Sequence, residues 1–134
     1  MFLDADGKQI SSPDPKAGLY IQARNGKLLR AKLPTDCMGF QIGETSQIQS
    51  GGVLQATPHA VQPAKVAGVS RESFALFLEP EFHDPLTIPS GKTVEDCQAK
   101  HVILPANVVR LEERWSVGQT FGDFHVATVS RFAT

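Results

Sequence analysis

Three polar side chains have the residue types and spacing of a small site for an anion beside a metal ligand. His59 follows a Gly51-Gly52 turn, Arg71 comes twelve residues after it, and Ser73 lies two positions further on. Residues two apart on a strand share a face, so the Arg71 guanidinium and the Ser73 hydroxyl can hold one carboxylate. If the strands of His59 and Arg71 pair antiparallel, both side chains face the same interior.

Each of these residues also has a purely structural interpretation. A lone histidine is usually an ordinary polar residue, and no two histidines here have the close spacing of paired ligands on one helix or strand. Arg71 could instead form a surface salt bridge, with Glu44, Glu72 or Glu79 as its partner. The four histidines are His59, His83, His101 and His125.

Residues 18–80 are expected to form the strands that position these side chains. Polar and apolar residues alternate from Gly18, and Asn25-Gly26 is a strong hairpin turn signal before a returning strand at 27–33. The pattern predicts three further stretches of strand after this hairpin. They lie at residues 37–42, at 53–61 with an interruption at Pro58, and at 70–78.

The flanking segments differ from this β region. Residues 1–17 are rich in turn formers and predict an irregular N-terminal segment, whereas 81–134 predict loops and a helical tail that packs on the β core. Thr93, Asn107 and Thr120 are placed to begin three short helices. The sequence therefore predicts a mainly β chain, part of a β-sandwich or jelly roll, with a short helical C-terminal tail.

Several motifs in residues 18–80 resemble, in order and spacing, the C-terminal half of the isopenicillin N synthase-like iron(II)/2-oxoglutarate oxygenases. The resemblance covers roughly 60 residues and implies a partial double-stranded β-helix, which is a form of jelly roll. The matching motifs are Gly18-Leu19-Tyr20, Asn25-Gly26, Gln41-Ile42-Gly43-Glu44, Gly51-Gly52, Thr57-Pro58-His59-Ala60-Val61, Arg71-Glu72-Ser73 and Phe77-Leu78-Glu79-Pro80.

The resemblance also implies a role for each candidate residue. His59 would be the distal iron ligand, and Arg71 with Ser73 would hold the distal carboxylate of 2-oxoglutarate. The family's iron site is a triad of two histidines and one carboxylate. The implied reaction is hydroxylation or desaturation of a small organic substrate, with succinate and carbon dioxide as co-products.

The sequence departs from the family pattern at the metal site. The family's other two ligands form a His-X-Asp pair, and none of the four histidines here begins His-X-Asp or His-X-Glu. We therefore expect a fragment that binds iron(II) weakly, is inactive alone, and self-associates through exposed strands. A non-catalytic β-sandwich that serves as a binding or oligomerisation module is the main alternative, and a cupin-like metal protein is a weaker one.

Composition excludes some other classes of function. The 13 basic and 14 acidic residues give a net charge of −1, which favours neither nucleic-acid binding nor a membrane-surface role. The N-terminal residues do not resemble a signal peptide, so we expect a cytoplasmic protein. On that view Cys37 and Cys97 are reduced and buried.

Overall fold

The computed structural model describes residues 1–34 and 36–132 and shows a mixed chain, with two small antiparallel sheets and a helical C-terminal part. The first sheet has the order β2-β1-β6 and the second the order β4-β3-β5. The strands are β1 (Phe2–Leu3), β2 (Gln9–Ile10), β3 (Gly18–Gln22), β4 (Leu28–Ala31), β5 (His59–Gln62) and β6 (Ser70–Arg71).

The predicted hairpin is confirmed as β3 and β4. Their register joins Leu19 to Ala31 and Gln22 to Leu28, and Gly26 in the turn has φ +79°. Since that left-handed conformation is cheap only for glycine and tolerated by asparagine, Asn25-Gly26 determines where the chain reverses.

The described residues form three α-helices outside the sheets, and two of these helices agree with the predictions. The 3₁₀ helix Leu111–Glu113 is all that forms where a longer helix from Asn107 was predicted, so that prediction is wrong. The helix nearest Gly43 was not predicted at all. The three helices are α1 (Glu44–Gln49), α2 (Val94–Gln98) and α3 (Phe121–Phe132).

A capping box begins α2 as predicted. The Thr93 hydroxyl accepts from the Asp96 backbone N–H at 3.2 Å, and the Asp96 carboxylate accepts from the Thr93 N–H at 2.9 Å. That second hydrogen bond keeps the pKa of Asp96 below its usual value. The pKa of Asp96 is lower in the folded protein than in the unfolded chain. The ionised carboxylate therefore stabilises the fold at pH values above the unfolded pKa, and this stabilisation is lost as the pH falls through the folded pKa.

We expect Thr93→Ala to lower the free energy of unfolding by about 1 kcal/mol, because the substitution leaves a backbone donor of the first turn without its acceptor. Urea denaturation at neutral pH measures the change. Ser90→Ala, which removes an exposed hydroxyl from the preceding loop, is the matched control and should have little effect. Equal losses in the two variants would contradict the capping role.

The predicted strands at 37–42 and 53–57 do not form, and the strand predicted for 70–78 ends at Arg71. Among the described residues, the backbone of this last segment has a hydrogen-bond partner only at its start, where the Glu72 N–H donates to the Met1 carbonyl at 2.9 Å. An apolar alternation forms a strand only where another strand satisfies its backbone groups. Conversely, the segment 1–17, expected to be irregular, contains β1 and β2.

The buried core lies among the helices and the C-terminal loops. Phe121 and Phe124 on α3 are three residues apart and so share one face of that helix. Burial raises the pKa of the Cys97 thiol, which donates to the Ile48 carbonyl at 3.4 Å. The predicted burial is therefore confirmed for Cys97, whereas Cys37 is exposed. The core residues are Ile48, Leu86, Cys97, Leu111, Trp115, Phe121 and Phe124.

These observations support the coarse prediction of antiparallel strands followed by a helical tail. The jelly roll and the division at residues 17 and 80 remain predictions, and residues 133 and 134 of the predicted tail lie outside the described residues. In residues 1–34 and 36–132, no helix has both the length and the apolar character needed to cross a membrane.

Candidate functional site

His59 lies at the start of β5, opposite Ile21 of β3. Its Nδ1 is 2.5 Å from the Gln41 amide Nε2 and 3.1 Å from the Thr57 carbonyl oxygen. The Thr57 carbonyl can only accept, so a hydrogen bond to it requires a proton on Nδ1. The Gln41 amide nitrogen donates, so a hydrogen bond from it requires the tautomer without that proton. The Nδ1–H tautomer is the one that leaves a lone pair on Nε2, and a backbone carbonyl is a usual partner for the second nitrogen of a ligating histidine.

A cavity of about 640 Å³ has His59 in its wall. This volume lies within the usual range for small-molecule sites, in which apolar side chains dominate and a few polar groups fix orientation. More than half of the lining residues come from the C-terminal part of the chain, between Gln98 and Thr128. The apolar lining includes Ile42, Pro58, Phe77, Val102, Leu104, Val108 and Leu111.

Arg114 and Glu44 also line this cavity and form a bidentate ion pair. Arg114 Nη1 lies 2.8 Å from Glu44 Oε2, and Nη2 lies 2.5 Å from Oε1. The same guanidinium donates to Thr128 Oγ1 and to the Val109 carbonyl, each at 3.0 Å. The arginine side chain is 1% exposed. Since the protein's own carboxylate occupies this guanidinium, we assign the pair to holding α1 against the C-terminal part.

Arg71 and Ser73 do not line the His59 cavity. Arg71 is half-buried on β6 and pairs with Phe2 of β1, while Ser73 is exposed beyond the end of the strand. The antiparallel pairing that would let both side chains face one interior does not form between the strands of His59 and Arg71. β5 pairs with β3, and β6 pairs with β1, so the two residues belong to different sheets.

None of the surface salt bridges considered for Arg71 is present in the described part of the chain. Glu44, one of the three partners considered, is bound to Arg114 instead. No local pattern of residues predicts that pair, because its members are 70 residues apart.

The described residues do not fit a complete iron centre. Nowhere in residues 1–34 and 36–132 do three or more histidine, cysteine or acidic side chains gather as metal ligands. The other histidines have different neighbours: His101 approaches the Gln55 amide at 3.4 Å, and the rings of His83 and His125 contact phenylalanines. No reaction step through iron follows from these residues.

No family model, curated protein or solved structure matches this chain. Any functional assignment therefore depends on the motifs in the sequence and on the geometry around His59, Arg71 and the cavity.

Proposed function

We propose that this chain is part of an iron(II)/2-oxoglutarate oxygenase of the isopenicillin N synthase-like group. His59 supplies one iron ligand, and Arg71 with Ser73 holds the distal carboxylate of 2-oxoglutarate. The ordered motifs of residues 18–80 support the family, and one structural observation carries the site. That observation is the position of His59 in the wall of a mostly apolar cavity.

The arrangement of the strands is consistent with this proposal. β5 and β6 follow each other in the chain yet lie in different sheets, and a jelly roll likewise distributes its strands between two sheets. Each is also the outer strand of its sheet. An outer strand has backbone groups on one side that a further strand can pair with, as a larger double sheet requires.

A complete centre would require a His-X-Asp segment that these residues do not contain. We expect the chain alone to bind iron(II) weakly and to show no oxygenase turnover. The cavity indicates a small, largely apolar organic substrate. A charged or extended substrate would leave part of the apolar wall of the cavity in contact with water.

The metal role of His59 can be tested with Mn(II), a redox-stable paramagnetic substitute for iron(II), and NMR of the histidine rings. We expect Mn(II) to broaden the ring signals of His59 before those of His83, His101 and His125, with millimolar affinity. His59→Ala should abolish this preferential binding, whereas His125→Ala should leave it unchanged. Equal broadening of all four histidines would contradict the assignment.

The anion role of Arg71 has a separate test. We expect Arg71→Leu to weaken 2-oxoglutarate binding about 10-fold to 150-fold, the equivalent of about 1.5–3 kcal/mol for a hydrogen bond to a charged group. Arg24→Leu removes an exposed arginine of the β3–β4 turn region and is the matched control. Titration calorimetry measures both, and an unchanged affinity in Arg71→Leu would exclude this anchor.

A non-catalytic binding module is the second candidate, because apolar side chains dominate the lining of the cavity. That function predicts that a small apolar probe binds equally well with and without a chelator, and that a segment supplying His-X-Asp gives no turnover. The oxygenase proposal predicts turnover when such a segment is added.

A further inference from the structure

Four large apolar side chains in one short stretch directly after β6 are among the most exposed of the described residues, together with Met38 and Phe40 elsewhere in the chain. Phe74 is 93% exposed, Phe77 81% and Leu78 83%. We call residues 74–78 the apolar segment. Exposed aromatic and aliphatic side chains in one contiguous stretch indicate a surface that another polypeptide covers. The sequence pattern here is that of a strand, and no strand of the described residues lies beside it.

We propose that a second copy of this chain covers the segment, with residues 71–79 of the two copies pairing as antiparallel strands about a two-fold axis at Ala75. In that register the numbers of two facing residues add up to 150, so Phe74 faces Leu76 of the other copy. β6 is the outer strand of β2-β1-β6, so the pairing extends an existing sheet across the dimer. An interface of this kind is isologous, with the same patch on both copies.

Charge complementarity supports this register. Arg71 of one copy faces Glu79 of the other, and the two-fold axis repeats the pair at the other end. Arg71 is half-buried and forms no ion pair with the other described residues, and Glu79 is exposed. Opposite charges directly across an antiparallel pair stabilise it, and like charges destabilise it.

The apolar area of the patch approaches the lower end of the range for specific interfaces. Phe74, Leu76, Phe77 and Leu78 are each at least three-quarters exposed. At roughly 150–200 Å² for each large side chain, the two copies together offer at most about 1,000–1,300 Å², because strands paired edge to edge leave part of each side chain exposed on the faces of the sheet. Specific protein interfaces begin at about 1,200 Å². The pairing needs neither metal nor 2-oxoglutarate, so sedimentation in the absence of both tests it apart from the proposed function. Both assignments give the Arg71 guanidinium an anionic partner, and 2-oxoglutarate would therefore compete with Glu79 of the second copy.

Cysteine cross-linking tests the register. In a Cys37→Ser background, Ala75→Cys places two thiols opposite each other at the axis, and we expect a covalent dimer on mild oxidation. Ser73→Cys is the matched control, because its two copies would be about 13 Å apart along the strands. That distance is beyond the reach of a disulfide. Equal cross-linking of the two variants would overturn the register.

Charge reversal tests the same pairing without cross-linking. We expect sedimentation to show a dimer, with the dissociation constant raised at least tenfold by Arg71→Glu and by Glu79→Arg alone. The double reversal should restore the dimer, since it exchanges the signs across the interface. A chain that stays monomeric near 1 mM, forms only larger aggregates, or does not recover in the double reversal would refute the proposal. Circular dichroism checks that each variant is folded.

Discussion

Replacing Arg114 by methionine is expected to lower the free energy of unfolding by about 3–5 kcal/mol, because it leaves the Glu44 carboxylate without its partner. The arginine side chain is 1% exposed and that of Glu44 is 28% exposed, so water replaces little of the lost interaction. The change also removes donors to Thr128 Oγ1 and to the Val109 carbonyl. The substitution thus removes the side chain that joins α1, the loop at Val109 and α3.

Urea denaturation measures this loss, and a second ion pair provides the control. Lys100 and Glu112 lie 3.0 Å apart with side chains 54% and 34% exposed. Lys100→Met should cost no more than about 1 kcal/mol, as expected for an exposed pair. The double variant Glu44→Leu/Arg114→Met should recover much of the stability, since it removes the unpaired charge. Similar losses in Lys100→Met and Arg114→Met would contradict this account.

Gly52→Ala is expected to lower the free energy of unfolding by about 2–5 kcal/mol. An added Cβ would lie 2.0 Å from the Asp96 carbonyl oxygen, in the backbone of α2, and cannot be accommodated unless that helix moves. Gly52 also has φ +76°, which costs alanine about 1–2 kcal/mol. Overpacking against the helix adds about 1–3 kcal/mol to that cost.

Gly7→Ala separates the two contributions. Gly7 has the same φ of +76°, but nothing lies within 4 Å of its added Cβ. We therefore expect this control to lose only about 1–2 kcal/mol, the cost of the left-handed conformation. The comparison uses the midpoints of urea denaturation for the two variants. If the two variants lose the same stability, the contact between residue 52 and α2 adds nothing to the cost of the substitution.

Short-range signals in the sequence predicted the features that local interactions determine. Asn25-Gly26 located the hairpin, and Thr93 with Asp96 located the start of α2. In each case the residues that define the structure lie within a few positions of one another. The conformational preference of the turn, or the hydrogen bonds of the cap, therefore indicates where the element begins or reverses without information on distant residues.

Prediction was wrong where a segment needed a distant partner. The alternation in residues 70–78 fits a strand, yet β6 ends at Arg71, where the backbone pairing with β1 stops. Cys37 has an apolar side chain that could be buried, but it remains exposed. Periodicity describes which face a segment could bury, and it contains no information on what lies against that face.

The candidate site divides in the same way. The sequence by itself identified His59, Arg71 and Ser73 as residues able to bind a metal or a carboxylate, because that ability belongs to the side chains. Only the tertiary structure placed His59 in the wall of a cavity and Arg71 in another sheet. It alone also paired Glu44 with Arg114 across 70 residues. Such contacts depend on which strands and helices pack together, and that choice is made by the whole chain.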